Sequence, residues 1–213
     1  TSAILLIFGS LVILALEYNH TGSIGSIENT HGKWLAAFFQ SATTRTAGFN
    51  TIDITSMAPA SLFFMMGLMF IGAGSTSTGG GIKVSTFAVA IIATKTFLRG
   101  QKEFTAFHRR VIPQTVLRSL AIIVVSFFLL ITAMFFLMIT EEASYPLVMF
   151  ETLSAFSTVG LSAGLTAELS PTGKLIMAFV MLIGRIGPLT MAYLLTTTKV
   201  TQLRYPEDDV ITG

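Results

Sequence analysis

Cysteine is absent from the 213 residues of this sequence, which excludes disulfide bonds and thiolate metal sites. Charge is also scarce, because Asp, Glu, Lys and Arg together make up only 11% of the chain, whereas hydrophobic residues make up 52%. So few charged groups cannot coat a soluble globule, and the mean hydropathy is +0.75. The composition therefore predicts an integral membrane protein.

Recognisable sets of catalytic or metal-binding residues are missing as well. His20, His31 and His108 are scattered and lack the spacing of metal ligands. No Ser-His-Asp set and no pair of carboxylates stands out from the sequence. We therefore expect the protein not to be an enzyme and to have no cofactor of its own.

The chain does contain a series of apolar segments, at about 3–16, 57–72, 82–98, 116–139 and 172–198. The last two are long enough to cross a bilayer core of roughly 30 Å, which takes about 20 residues. The first is shorter, and we expect it to be the end of a spanning helix that begins outside this chain. No basic region or small-residue cleavage site indicates a signal peptide.

Basic residues concentrate between two of these segments, opposed only by Glu103: Lys95, Arg99, Lys102, Arg109, Arg110 and Arg118. The alternate loops are acidic instead, with Glu17 and Glu28 in one and Glu141 and Glu142 in the other. By the positive-inside bias, 99–115 and the C-terminus are cytoplasmic. In this membrane setting we do not expect the basic cluster to bind nucleic acid.

The chain repeats itself at an offset of 112 residues (160 − 48), which carries Gly48 onto Gly160. The same offset carries Ile71-Gly72 onto Ile183-Gly184. Repetition at a fixed period is typical of chains built from copies of one structural unit. We predict two membrane–pore–membrane units, 1–98 and 116–203, a cytoplasmic linker, 99–115, and a cytoplasmic tail, 204–213.

Each unit is predicted to contain an outer helix, a short pore helix, an extended turn and an inner helix. The pore helices, at about 33–43 and 146–156, are too short to span a membrane and suit segments that enter it and turn back. Each directs the negative end of its dipole at the turn that follows, which favours a cation there. Backbone carbonyls of the turns are the predicted selectivity filter: Thr46, Ala47, Gly48, Phe49 and Asn50, and Thr158, Val159, Gly160, Leu161 and Ser162.

The inner helix of the first unit is predicted to be broken. An unbroken helix over 57–98 would be about 60 Å long, roughly twice the bilayer core. Each glycine in its middle costs about 1 kcal/mol relative to alanine. We expect an irregular intramembrane loop over 72–81, which contains Gly72, Gly74, Ser75, Thr76, Ser77, Thr78, Gly79, Gly80 and Gly81. The Gly-Lys-Ser/Thr ending of a phosphate-binding loop is missing.

The second inner helix is expected to run on unbroken with Arg185 near its middle. A lone arginine at that depth costs about 2.5–3.5 kcal/mol unless it faces water or carbonyl groups. We expect Arg185 to point into the pore, to hydrogen-bond the loop at 72–81 and to act as an electrostatic barrier. The alternative is a structural arginine paired with Glu151. Both Glu151 and Arg45 are expected to brace the turns.

Together, five motifs resemble the Trk/Ktr/HKT superfamily of cation translocators, most closely the membrane subunits of its bacterial Ktr branch. They are TRTAGFNT at 44–51, GAGSTSTGGGIKV at 72–84, STVGLS at 157–162, IGRIGPLT at 183–190 and RYPEDDVITG at 204–213. The resemblance implies an all-α integral membrane fold with four units around one pseudo-fourfold ion pore. This chain matches the third and fourth units, so the first half of the polypeptide would lie outside it.

The same resemblance implies potassium uptake by a multi-pass protein of the bacterial cell membrane, with K⁺ at the filter carbonyls. It also implies that the loop is the gate and that Arg185 is the pore-facing arginine. The implied partners are a second copy in a homodimer and a cytosolic KtrA-type ring of nucleotide-binding subunits that responds to ATP or ADP. Sodium would be an activator, and membrane lipids would surround the chain.

Two other interpretations stay open from the sequence alone. One is a sodium-preferring transporter of the same superfamily. The other is a non-conducting regulatory membrane subunit with a vestigial pore, against which the intact Thr-x-Gly turns argue.

Overall fold

Helices account for almost all of the regular structure in this computed structural model, which describes residues 1–74, 77–100, 103–106, 109–188 and 190. The helices are α1 (Ser2–Glu17), α2 (Thr30–Thr43), α3 (Pro59–Phe70), α4 (Val84–Leu98), α5 (Pro113–Thr140), α6 (Tyr145–Phe156), α7 (Leu165–Glu168) and α8 (Pro171–Ile186). Two short strands, β1 (Thr105–Ala106) and β2 (Arg109–Arg110), pair antiparallel between α4 and α5. The predicted all-α fold class is confirmed.

Local chemistry fixes where several of these helices start. Pro59, Pro113 and Pro171 are the first residues of α3, α5 and α8, where a missing N–H costs no hydrogen bond. Ser170 caps α8, because its hydroxyl oxygen accepts a hydrogen bond from the Gly173 N–H at 3.1 Å. The start of α8 is thus fixed both by a proline and by a side-chain cap.

The two halves of the chain use their helices in the same way. α1 packs against α2 and α3, and α5 packs against α6 and α8. The short second helices, α2 and α6, each lead into one of the glycine-centred turns. α6 is the more deeply buried, since every residue over 150–156 is buried and the helix also contacts α3. It therefore lies at the centre of the described structure.

A loop over 71–83 separates α3 from α4. The Ile82 N–H donates to the Phe70 carbonyl at 3.2 Å, and the Val84 N–H donates to the Ala73 carbonyl at 3.3 Å. These hydrogen bonds hold the two ends of the loop together, so the chain leaves the loop close to where it entered. Two of the predicted gate residues, Ser75 and Thr76, lie outside the described residues.

The second inner helix does not run on unbroken, contrary to the sequence-based expectation. α8 ends at Ile186, and Gly187 follows with a φ of 97°. A left-handed glycine ends a helix without steric cost, and Pro188 behind it cannot donate a backbone hydrogen bond to continue the same ladder. The remainder of the predicted segment beyond 190, and the predicted tail, lie outside the described residues.

Among the described helices, only α5 is long and apolar enough to cross a membrane by itself, with a mean hydropathy of 3.0 in its most apolar window. Only 22% of that window is buried within this chain. A helix that is apolar on all sides and yet exposed fits contact with lipid or with other membrane helices. α1, α3 and α4 are apolar but shorter.

Candidate ion pathway

The first glycine-centred turn starts where α2 ends. Thr46 and Gly48 each have a φ of 71°, which puts alternate residues in the left-handed region. On the last turn of α2, the Thr43 hydroxyl donates to the Phe49 carbonyl at 2.8 Å and accepts from the Phe49 N–H at 2.9 Å. One side chain therefore satisfies both backbone groups of Phe49 and pins the far end of the turn to the pore helix.

The second turn, after α6, has the same construction. Thr158 and Gly160 have φ values of 53° and 87°. The Ser154 hydroxyl donates to the Leu161 carbonyl at 2.6 Å, and the Val159 N–H donates to the Ser154 carbonyl at 2.9 Å. In both turns, a hydroxyl from the pore helix holds the carbonyl of the residue after the glycine.

The two turns lie against each other at their glycines. A Cβ added to Gly160 would lie 3.7 Å from the Gly48 Cα, and one added to Gly48 would overlap the Val159 carbonyl oxygen. Positive φ also disfavours a side chain at both positions. The predicted filter residues are thus brought together in two adjoining turns, each at the carbonyl end of a helix that favours a cation.

Glu151, on the buried face of α6, braces the second turn as expected. Its carboxylate accepts hydrogen bonds from the Ser162 hydroxyl at 2.5 Å, the Ala163 N–H at 3.0 Å and the Thr166 hydroxyl at 2.7 Å. Hydrogen bonds to a charged acceptor are roughly twice as strong as neutral ones. This buried carboxylate therefore fixes the segment that follows the glycine from behind.

The glycine-rich loop contacts both turns. The Gly80 N–H donates to the Thr158 hydroxyl at 2.7 Å. A Cβ added to Gly79 would lie only 2.8 Å from the Thr46 Cγ2, and one added to Gly81 would lie 3.0 Å from the Ser157 hydroxyl. The absence of side chains therefore allows the loop to approach the predicted filter this closely.

The side chain of Lys83 holds the loop from its C-terminal end. Its ammonium group donates to the Ser77 carbonyl at 2.9 Å and to the Gly79 carbonyl at 2.5 Å. These carbonyls have no partner in a regular helix or sheet, so the ammonium group supplies one. This contact therefore helps to hold the loop in its conformation.

Within the described residues, Arg185 forms neither the expected hydrogen bond to the loop nor the alternative ion pair with Glu151. Its exposed side chain lines a cavity of about 570 Å³ together with Glu151, Thr158 and Gly160. In its place Gly184 packs against the end of α6, where a Cβ would overlap the Phe156 carbonyl oxygen. The next residue along a helix is rotated by about 100° and points elsewhere.

Arg45 lacks the bracing contact expected for it within the described residues. Its Nε and Nη2 atoms are buried and have no hydrogen-bond partner in that part of the chain. Unpaired buried donors of a guanidinium group are costly. Arg45 therefore needs a hydrogen-bond acceptor from outside the described residues.

Two carboxylates that the sequence did not single out, Glu17 and Glu141, anchor the inner helices. Glu17, at the end of α1, accepts a hydrogen bond from the Ala58 N–H at 2.9 Å, directly before α3. Glu141, at the end of α5, accepts one from the Ser170 N–H at 3.0 Å, directly before α8. Glu17 and Glu141 are 124 residues apart (141 − 17) and not 112, so the repeat offset does not match one with the other. The available signal was an acidic residue ending each outer helix.

The described residues contain no group of three or more His, Asp or Glu side chains that could hold a metal ion. Backbone carbonyls of the two turns are the remaining candidate ligands for a cation, and carbonyl oxygens are suitable ligands for K⁺.

The all-α fold, the exposed apolar helices and the pair of pore-helix turns define a membrane protein of the cation-transporter class. Residues 1–202 match the family model of TrkH, described as cation transport protein. The chain belongs to this family, whose members are transporters and not enzymes. The resemblance inferred from the five motifs is confirmed.

The chain is similar to several curated transport proteins. It is 60% identical over 210 residues to Ktr system potassium uptake protein B of Vibrio alginolyticus, covering 99% of this chain and 46% of that protein. It is 44% identical to the protein of the same name from Bacillus subtilis, covering 95% of this chain and 45% of that protein. The chain thus spans about half the length of these relatives.

A third relative is named for uptake of both potassium and sodium. The chain is 36% identical over 220 residues to the potassium/sodium uptake protein NtpJ of Enterococcus hirae, covering 100% of this chain and 48% of that protein.

A solved structure supports the fold. The crystal structure of the potassium transporter TrkH from Vibrio parahaemolyticus matches with a TM-score of 0.77 and 21% sequence identity. The match covers 91% of this chain and 43% of that one. At this identity the likeness shows the fold alone.

Proposed function

We propose that the chain is half of a membrane transporter that takes up K⁺ through a carbonyl-lined filter. The observation that carries the proposal is the pair of adjoining turns, in which Thr46 and Gly48, and likewise Thr158 and Gly160, have positive φ at the ends of two pore helices. Carbonyls at these turns would replace the hydration shell of the ion. The names of the two Ktr relatives support potassium as the ion.

The remaining parts of the proposal concern gating and assembly. The glycine-rich loop over 72–81 would be the gate, and Arg185 would be an electrostatic barrier beside the second turn. The whole polypeptide would be a multi-pass protein of the bacterial cell membrane that forms a homodimer. Its partner would be a cytosolic KtrA-type ring regulated by ATP or ADP, and sodium would activate transport. The word "system" in the relatives' names supports a partner subunit.

The proposal is tested by measuring K⁺ and Na⁺ flux into liposomes through the full polypeptide and its Gly160→Ser variant. We expect the variant to lose about tenfold in K⁺ over Na⁺ preference, which corresponds to roughly 1.4 kcal/mol. Gly164→Ser is the matched control, because Gly164 also has positive φ, at 98°, but lies beyond the turn. Equal selectivity losses in the two variants would contradict the filter assignment.

A sodium-preferring transporter is the second candidate, favoured by the name of the Enterococcus relative. Na⁺ flux above K⁺ flux in the wild-type liposomes would establish it. No cation flux through folded protein with its partners present would instead support a non-conducting regulatory subunit.

A further inference from the structure

An apolar groove lies between α4 and α5, and large hydrophobic side chains form most of its wall. It encloses about 680 Å³, within the range of ligand pockets. Its wall includes Phe70, Phe87, Ile91 and Ile123. Nothing polar from the filter turns enters it.

Two cationic side chains, Lys95 and Arg99, line the same groove at the end of α4. Lys95 is on the last turn of α4 and Arg99 is the next residue after the helix, where its N–H donates to the Lys95 carbonyl at 3.2 Å, so the two residues lie close together. Both are exposed, and neither forms an ion pair within the described part of the chain. Glu103, the nearest acidic residue in the sequence, pairs with Arg110 at 3.3 Å instead. The groove is therefore apolar along its length and positively charged at one end.

The charged end is expected at the cytoplasmic surface, because the basic linker 99–115 follows it directly. An apolar groove between membrane helices that ends in basic side chains on this side suits a lipid with an anionic headgroup. A zwitterionic lipid also has a phosphate, but the positive charge of its own headgroup offsets it, so it would balance Lys95 and Arg99 less well.

We infer that this groove binds one anionic glycerophospholipid of the cytoplasmic leaflet, with its phosphate at Lys95 and Arg99 and an acyl chain along α4. The acyl chain of the lipid would reach Ile71 and Ile82, which also line the groove. These two residues form an isolated β-bridge that joins the two ends of the glycine-rich loop. Occupancy of the groove would therefore stabilise the base of that loop, and through it the conformation that contacts the turns.

The binding site stands independently of conduction, whereas its effect on ion flux rests on the proposed function. The two parts accordingly need separate measurements on the full polypeptide.

The first measurement counts bound lipids by native mass spectrometry, with phosphatidylglycerol and phosphatidylcholine of identical acyl chains added to delipidated protein. We expect phosphatidylglycerol to bind more tightly, and each lost charge to weaken it about 5-fold, the factor that corresponds to ~1 kcal/mol. The test variant is Lys95→Gln with Arg99→Gln. The matched control, Arg109→Gln with Arg110→Gln, removes the same charge outside the groove and should keep the preference.

A photoactivatable phosphatidylglycerol locates the site. Crosslinks within 87–99 that disappear in the Lys95/Arg99 variant support the inference. Crosslinks absent from that range in folded wild-type protein would overturn it, because another part of the polypeptide or a second copy would then fill the groove. An unchanged phosphatidylglycerol preference in the variant would overturn it equally.

The second measurement compares K⁺ flux in liposomes with and without phosphatidylglycerol. A dependence on phosphatidylglycerol that the Lys95/Arg99 variant lacks and the control keeps supports coupling to the loop. Lipid binding without any such dependence would overturn the coupling alone. Absence of all flux would count against the proposed function while the mass-spectrometric result still decides the site.

Discussion

Thr46 and Thr158 have positive φ, at 71° and 53°, although threonine is β-branched. This conformation is rare for such residues and costs of order 1–3 kcal/mol. It persists where the surroundings determine it, and here the Gly80 N–H holds the Thr158 hydroxyl. Strained backbone at corresponding positions of two repeated turns supports a functional role for them. Such strain is not visible in a Thr-x-Gly pattern.

Substitution of Glu151 should weaken ion discrimination without unfolding the protein. Glu151→Gln keeps the shape of the side chain but replaces a charged acceptor of three hydrogen bonds by an amide. The second turn should loosen, and the K⁺ over Na⁺ flux ratio in liposomes should fall. Glu168→Gln, on the exposed face of α7, is the matched control and should behave as wild type. A normal flux ratio in Glu151→Gln would show that the turn needs no such brace.

Glu141 predicts an acid-dependent loss of stability. Hydrogen bonds from the Ser170 side chain and backbone hold the pKa of the Glu141 carboxyl below its ordinary value of 4.5. A carboxyl whose pKa is lowered on folding stabilises the protein above its unfolded pKa, and this contribution is lost as the pH falls through the lower folded value. The melting temperature in detergent should therefore drop as the pH goes below 4.5.

The matched pair for this measurement is Glu141→Gln and Glu142→Gln. Glu142 is the exposed neighbour. We expect Glu141→Gln to melt at a lower temperature at neutral pH and to show a shallower acid dependence, with Glu142→Gln unchanged. Identical acid profiles for Glu141→Gln and wild type would assign the acid sensitivity to other groups.

At the scale of elements, the glycine-rich loop lies so close to the second turn that a single added methyl group should displace it. A Cβ at Gly80 would lie 2.7 Å from the Phe156 carbonyl oxygen and 2.8 Å from the Thr158 Cγ2. Gly80→Ala should therefore push the loop away from the second turn and raise K⁺ flux in the absence of regulatory partners. Gly74→Ala is the matched control, since a Cβ there meets nothing within 4 Å. Lower flux in Gly80→Ala would contradict the gate assignment.

The sequence predicted the elements best where the repeat offset applies. Pro59 and Pro171 start α3 and α8 at the 112-residue offset (171 − 59), and Thr46 and Thr158 have the same conformation at the same offset. The predicted unbroken course of the second inner helix was wrong, because Gly187 and Pro188 interrupt it within a run of apolar residues. A run of apolar residues indicates only the average character of a segment, whereas one glycine with positive φ decides where the helix ends.

Side-chain contacts were harder to predict than elements. Which of Gly184 and Arg185 faces α6 depends on the rotation of α8 about its axis, and it is Gly184 that packs against the Phe156 carbonyl. An apolar helix with few charges gives little indication of which side faces a neighbour. The pairing of Glu17 with the start of α3 likewise required the placement of α2 and the first turn, which lie between them in the chain, to be known.

At the scale of the whole molecule, this chain contributes two turns that adjoin at Gly48 and Gly160. Its relatives are about twice as long, since it covers 46% and 45% of the two Ktr proteins. Within the proposed pore, these turns are two neighbouring sides of the filter. The Nε and Nη2 atoms of Arg45 are buried without a partner among the described residues, which fits an acceptor from elsewhere in the polypeptide.

The most direct test of the account is to locate a bound ion in the full polypeptide by anomalous scattering from crystals grown in Rb⁺ in place of K⁺. The account predicts an anomalous peak within coordination distance of the carbonyls of 46–50 and 158–162, which weakens when Na⁺ replaces Rb⁺. A well-ordered filter region with no peak there, or with a peak only at side-chain carboxylates elsewhere, would contradict it.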